Sequence, residues 1–304
     1  MDKVAILLCT YNDKYFLPKQ LVSYITQTHQ NWELHVSNDG DLPDTLQTLN
    51  HFQKKCTQLV KLREGPKQGF ALNFLSLSCD ENIKANYFAF SDQDDIWEND
   101  KLSRAISYLK TISAEIPAIY CSRTTLINSS DEEIGLSPYF KKPASFHHAV
   151  VQNIACGNTM VFNQAARELM IKAGIITIPA HDWWLYILVT GCGGKVFYDD
   201  YPTVRYRQHS GNVIGFRPQL TDRVLSALKL FKGKFKKNNV MISQGLNKVM
   251  NDLTAENRQC FIYLSEARHQ GLLNRIRNIW KSGVYRQTFI GNCGLIVATL
   301  INKL

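Results

Sequence analysis

The chain has 304 residues, 45% of them hydrophobic and 20% charged, with 17 Gly and 9 Pro; that is the composition of a folded chain able to bury one large core or two small ones, and it excludes disordered, collagenous and low-complexity classes. The net charge of +9 is local: residues 1–216 carry 20 Lys+Arg against 22 Asp+Glu, and residues 217–304 carry 15 against 4. With no RRM, KH, zinc-finger or homeodomain pattern, nucleic acid is not an expected partner.

Along the first 110 residues, short β-branched or aromatic runs alternate with amphipathic stretches. The pattern predicts strands at Val4–Cys9, Glu33–Ser37, Leu59–Leu62 and Tyr87–Phe90, and helices at Tyr15–Thr28, Pro43–Lys55 and Gly69–Ser78. This is a doubly wound α/β order with a mostly parallel sheet, and ligands of such sheets bind beyond the carboxyl ends of the strands. Three polar clusters then fall on one sheet edge: Thr10-Tyr11-Asn12, Asn38-Asp39-Gly40 and Ser91-Asp92-Gln93-Asp94-Asp95. From about residue 111 the pattern reads as polar and turn-rich. It then gives a strand at Thr159–Phe162, helices at Gln164–Ala173 and His181–Leu188, and two strands at Lys195–Tyr198 and Thr203–Tyr206. The expected organisation is a nucleotide-binding half at 1–110, an acceptor-side half at 111–216 and a helical basic region at 217–304.

The eight cysteines are never closer than 23 residues, so they form no CxxC pair, zinc ribbon or dense disulfide framework and are expected to be reduced thiols. The start, Met1-Asp2-Lys3, lacks the features of a secretory signal, and the longest nearly apolar stretch, Phe289 to Ile301, is too short to span a bilayer. A cytoplasmic protein is expected.

Asp92, Asp94 and Asp95 lie within four residues. Carboxylates so crowded call for a cation, and hard oxygen ligands suit Mg2+ or Mn2+ bound through one or two carboxylates and phosphate oxygens. The competing reading is an acidic helix N-terminus, with Asp95 preceding a helix at Trp97–Leu109. Asp182, opening the helix after Pro179-Ala180, reads either as a cap or as a general base. His209 sits in a loop leading to Gly211. There is no G-x-x-x-x-G-K-[ST] loop and no dinucleotide-binding fingerprint.

Taken together, Leu8-Cys9-Thr10-Tyr11-Asn12, Gln27 to Leu34, Val36-Ser37-Asn38-Asp39-Gly40, Ser91-Asp92-Gln93-Asp94-Asp95-Ile96-Trp97 and Tyr206-Arg207-Gln208-His209-Ser210-Gly211-Asn212 resemble the family 2 glycosyltransferases of GT-A fold. Their bacterial rhamnosyltransferase branch is the most similar. The resemblance covers about residues 3–216 and implies an inverting, metal-dependent sugar transfer. The donor it implies is UDP- or dTDP-activated, dTDP-L-rhamnose first, with UDP-galactose or a UDP-N-acetylhexosamine as alternatives. The acceptor it implies is a glycan or lipid-linked glycan of a surface polysaccharide.

Residue by residue, the resemblance puts Asp39 on the imide N–H of uracil or thymine, Thr10, Tyr11 and Asn12 around the base, and Asp92 on the ribose or donor sugar. It makes Asp94 and His209 metal ligands, Asp182 the base, and Gly157 a close backbone approach to donor or acceptor. Two positions depart from the family pattern: Asn38 stands where Asp is frequent, and His181 where Glu precedes the base. A non-enzymatic sugar-nucleotide-binding protein is the alternative outside catalysis.

In residues 217–304, a lysine run (Lys232, Lys234, Lys236, Lys237) joins apolar stripes at Val224, Leu225, Leu228, Leu230 and Phe231 and at Leu272, Leu273, Ile276, Ile279 and Trp280. These predict helices that either rest on an anionic membrane surface, at the inner face of the cytoplasmic membrane, or pack on the catalytic domain.

Overall fold

Val4–Thr10 forms strand β1, buried along its whole length, because helices cover both faces of the sheet it belongs to. Val4, Ile6 and Leu8 face one apolar cluster, Ala5, Leu7 and Cys9 the other, the period-two division of a central strand. The computed structural model describes residues 2–13, 15–209 and 234–303. After β1 come α1 (Leu17–Ile25), β2 (Trp32–Asn38), α2 (Pro43–Lys55), β3 (Val60–Glu64), α3 (Phe70–Ser78) and β4 (Tyr87–Ser91), in the predicted order. Helix α1 is shorter than predicted at its start, where the Asp13 carboxylate accepts the backbone N–H of Tyr15 (2.7 Å) and Phe16 (2.9 Å) in a turn outside the helix.

Beyond β4 the chain runs through β5 (Ile96–Trp97), α4 (Lys101–Leu109), β6 (Ala118–Ile127), β7 (Glu133–Leu136), α5 (Phe146–Ala149), a 3-10 turn at Gly157–Thr159, β8 (Val161–Asn163), α6 (Gln164–Ala173), α7 (His181–Gly191) and β9 (Lys195–Arg207). The sheet order is β3-β2-β1-β4-β8-β6-β9-β5, with β7 on β6. Strands β3, β2, β1 and β4 are mutually parallel, and β8 is antiparallel to both β4 and β6. The GT-A-like order of a parallel half followed by a mixed half is therefore present.

Three expectations are corrected. The stretch read as turn-rich after residue 111 contains β6, whose polar residues are buried and paired: Ser122 Oγ lies 2.7 Å from Thr203 Oγ1, and the Thr124 N–H donates to Ser137 Oγ at 3.0 Å. The helix after the aspartate cluster begins at Lys101, because Ile96–Trp97 pairs with β9 as a strand; Asp95 is therefore not an acid at a helix N-terminus. The two strands expected between 195 and 206 are one, β9, with a register shift between Ser122 and Thr124 of its partner β6.

Among the described residues four α-helices follow: α8 (Lys234–Lys248), α9 (Ala255–His269), α10 (Leu272–Ser282) and α11 (Phe289–Leu300). Ile242, Leu246, Phe261, Leu264, Leu295 and Ala298 join the same core cluster as Leu7 and Phe90, so these helices pack on the α/β part of the chain. Lys236 and Lys237 are exposed. The predicted stripe Val224 to Phe231 and Lys232 lie outside the described residues, as does the side chain of Lys234. No helix among the described residues is long and apolar enough to cross a membrane. All eight cysteines are free thiols.

Candidate active site

Because β1, β2 and β4 run parallel, their C-terminal ends open at one edge, and a cleft of about 770 Å³ lies there. Its walls bring together Thr10, Tyr11, Asp39, Asp92, Asp94, Gly157, Asp182 and His209, residues spread over most of the first 209. Asn12 is not among them. Its backbone is left-handed (φ 46°) and its side-chain oxygen accepts the N–H groups of Asp41 (3.0 Å) and Leu42 (2.9 Å), which ties the loop after β1 to the start of α2.

On the β1–β2 side, the Asp39 carboxylate accepts the Lys67 N–H at 2.9 Å, and the Asp39 N–H donates to Thr10 O at 2.9 Å. Asn38 explains its own departure from the family pattern. Its oxygen accepts the Thr10 hydroxyl (2.8 Å) while its Nδ2 donates to the Gly40 carbonyl (2.7 Å), a bond an aspartate carboxylate could not make. Gln93, which the sequence reading passed over, clamps the aspartate loop to the loop after β1: its Oε1 accepts the Tyr11 N–H (2.7 Å) and its Nε2 donates to Tyr11 O (3.0 Å).

The acids occupy the centre. Burial, and then the charges of Asp94 and Asp182, push the Asp92 carboxyl up to about 7, with Lys101 opposing. Asp94 Oδ2 lies 2.8 Å from His209 Nε2. Beneath them Asp95 is fully buried; its oxygens accept Asn158 Nδ2 (2.7 Å) and the Arg207 N–H (3.1 Å). Lys101, also fully buried, donates to the Asn158 carbonyl at 2.6 Å with its ammonium 3.3 Å from the centre of the Trp97 ring. Burial drives the Asp95 carboxyl up and the Lys101 ammonium down. Arg207 Nε donates to Asp94 O at 2.8 Å. Lys101, Asn158 and Arg207 thus build the floor on which Asp92 and Asp94 stand, and only the tertiary structure gathers them.

Opposite, the first turn of α7 presents Asp182. Its Oδ2 accepts Asn153 Nδ2 (3.1 Å) and the Gly157 N–H (3.0 Å), and its Oδ1 accepts its neighbour Trp183 N–H at 2.6 Å. Burial raises its pKa, and these hydrogen bonds pull the other way. Gly157 is required by packing: a Cβ there would stand 2.8 Å from His181 Nε2. His181 stacks on Phe74 at 3.8 Å and meets Phe90 edge-on at 4.6 Å. Neither ring nitrogen has a hydrogen-bond partner in the protein, and burial lowers its pKa to about 3, which keeps it neutral.

The acids lining the cleft would repel a diphosphate unless a cation came with it. Among the described residues no three His, Cys, Asp or Glu side chains form a metal cage. Asp94 with His209 is a donor pair that fits a hard divalent ion completing its shell with phosphate oxygens.

Residues 5–169 match the family model described as Glycosyl transferase family 2. The chain is 27% identical over 220 residues to the dTDP-rhamnosyl transferase RfbG of Shigella flexneri, covering 68% of this chain and 73% of that one. It is 24% identical over 250 residues to the UDP-Glc:alpha-D-GlcNAc-diphosphoundecaprenol beta-1,3-glucosyltransferase WfaP of Escherichia coli, covering 81% and 88%. Among solved structures, S. aureus TarS 1–349 in complex with UDP-GlcNAc superposes with a TM-score of 0.56 at 13% identity, covering 92% of this chain and 89% of that one. The mannosyltransferase PcManGT from Pyrobaculum calidifontis, in complex with GDP-Man and Mn2+, gives 0.51 at 14%, covering 99% and 85%. The likeness to these two is one of fold, the GT-A arrangement.

Proposed function

Since the chain belongs to glycosyl transferase family 2, we propose that it is an inverting, metal-dependent glycosyltransferase of surface polysaccharide synthesis that uses a UDP- or dTDP-activated donor. The observation that carries this reading is the convergence of Asp39, Asp92, Asp94 and Asp182 on one cleft. The leading donor is dTDP-L-rhamnose, a choice supported by the similarity to a dTDP-rhamnosyl transferase. The acceptor is a glycan or a lipid-linked glycan, which would meet the enzyme at an anionic membrane surface beside the basic residues 217–304.

In this reading Asp39 accepts the imide N–H of the pyrimidine, which selects uracil or thymine over cytosine. Asp92 orients the ribose or the donor sugar. Asp94 and His209 would hold a divalent cation, Mg2+ or Mn2+, whose charge offsets that of the departing nucleoside diphosphate. Asp182, fixed by three donors, takes the proton of the acceptor hydroxyl as its oxygen bonds to the anomeric carbon and the bond from that carbon to the diphosphate oxygen breaks on the opposite face, inverting the configuration. A raised pKa makes Asp182 a better proton acceptor than an exposed aspartate.

The test is a panel of nucleotide sugars with Mg2+ or Mn2+, read by thermal shift and by release of nucleoside diphosphate. Stabilisation and turnover with dTDP-L-rhamnose, and much less with other donors, is the expected result. Turnover with a UDP-hexose alone would replace the donor, and binding of donors without turnover on any glycan acceptor would favour a binding protein.

A further inference from the structure

The last two helices turn apolar residues to solvent. In α10 the buried residues are polar, Arg275, Asn278 and Ser282, and Ile279 is half-buried against the core. Arg275 donates to Thr299 O (3.0 Å) and Gln270 O (3.1 Å), and Asn278 donates to Gln270 Oε1 (3.0 Å). Among the residues turned to solvent, Leu273, Ile276 and Trp280 form an apolar stripe at spacings of three and four, with Leu273 83% and Trp280 81% exposed, beside the exposed Arg277 and Lys281. Helix α11 has no charged residue, and its outward stripe is Phe289, Ile296 and Leu300, with Phe289 83% exposed, while Leu295 and Ala298 on its other side fill the core. A surface helix of a water-soluble protein normally turns its charged face outward, and contiguous exposed apolar faces mark contact sites.

We propose that the outward faces of α10 and α11 insert into the boundary between headgroups and acyl chains of an anionic lipid bilayer. At about 1.5 Å per residue the 12 residues of α11 are far shorter than the roughly 30 Å hydrocarbon core, so the helices lie in the plane of the membrane and do not cross it. Charge selects the occupant. Residues 267–304 contain no Asp or Glu, while Arg277 and Lys281 are exposed on α10. A second copy docked on the same face would set these cations against their like, whereas anionic headgroups complement them. Trp280 has the apolar ring and N–H that suit the interfacial layer.

The patch is joined to the cleft. In the link between the two helices, the Gln287 N–H donates to Gln152 Oε1 at 3.0 Å, and the next residue, Asn153, holds Asp182. The insertion itself rests on neither the donor nor turnover.

The experiment uses the full chain with vesicles of phosphatidylcholine containing phosphatidylglycerol, read by flotation and by quenching of tryptophan fluorescence with brominated lipid. Trp32, Trp97 and Trp184 are buried and Trp183 half-buried, so contact quenching reports on Trp280. The wild type is expected to float and be quenched. The triple variant Leu273→Ser/Trp280→Ser/Phe289→Ser, at exposed positions and with an unchanged melting curve, is expected to partition on the order of 100-fold more weakly. Lys236→Gln/Lys237→Gln, which tests tethering by charge alone, is expected to lose only a few-fold. A wild type that ignores these vesicles overturns the proposal, as does a triple variant that binds like the wild type. So does a concentration-dependent dimer that the triple variant converts to monomer, if vesicle binding is absent; that result would assign the face to a second copy.

Discussion

Asp182 is held by donors on both oxygens, and replacing it by Asn keeps the outline, turns one of those acceptors into an NH2 donor and removes the proposed proton acceptor. Asp182→Asn is expected to lower transfer by about 10²–10⁴-fold with nucleotide binding within a few-fold of wild type by calorimetry. Parallel loss of binding and transfer would make the residue a structural clasp. For Asp94 the expected pattern differs. Asp94→Ala removes the carboxylate paired with His209, so turnover should fall by at least about 10², and EDTA should reduce the wild type to the same level; full activity in excess EDTA would remove the metal from the proposal. Gly157, Asp182 and His209 were placed at the cleft only by the family resemblance, but that Thr10, Tyr11, Asp39, Asp92 and Asp94 meet there was legible in the sequence, because strand ends of a parallel sheet share an edge. Asn12 was not, because its carboxamide closes a turn, and neither was the buried floor of Lys101, Asn158 and Arg207, which assembles from distant segments.

At the scale of elements, continuous apolar runs such as Val4–Cys9 announced the parallel strands. Strand β6 stayed hidden because Ser122, Thr124 and Thr125, buried inside the fold, interrupt its apolar signature. Helices α5 and α7 meet through His148, fully buried, whose Nδ1 lies 3.0 Å from Tyr186 Oη. Burial lowers the His148 pKa from 6.5 to about 4. Between those values the unfolded chain binds a proton that the folded chain does not, so stability is fully present above pH 6.5 and falls as the pH drops toward 4. The loss is on the order of 3 kcal/mol. Urea unfolding across this range should show the slope, and His148→Phe should flatten it; an unchanged slope would place the acid sensitivity elsewhere.

Over the whole molecule, the basic C-terminal region is not an appendage, because α8, α9 and α11 supply side chains to the larger core cluster. Leu246, fully buried in α8, contributes as any core leucine does, and Leu246→Ala is expected to cost about 2–5 kcal/mol by urea unfolding. Removing residues 217–304 should expose the outer side of that cluster and yield aggregate in size-exclusion chromatography; a monodisperse, fully folded fragment would show that the catalytic part stands alone. The composition of this region revealed its charge and its stripes, but the assignment of one stripe to the core and another to the outside depends on which neighbours the folded chain provides.

The pairing of Asp94 with His209 spans 115 residues, and that distance is also an interval of time. A ribosome adds about 5–20 residues per second, so His209 emerges roughly 6–23 s after Asp94. Through most of that interval the growing chain already carries Thr10, Asp39 and Asp92 but lacks Asp182, the residue proposed as the base. The order of synthesis thus supplies the residues proposed to meet the pyrimidine first, and completes the proposed base and metal pair last.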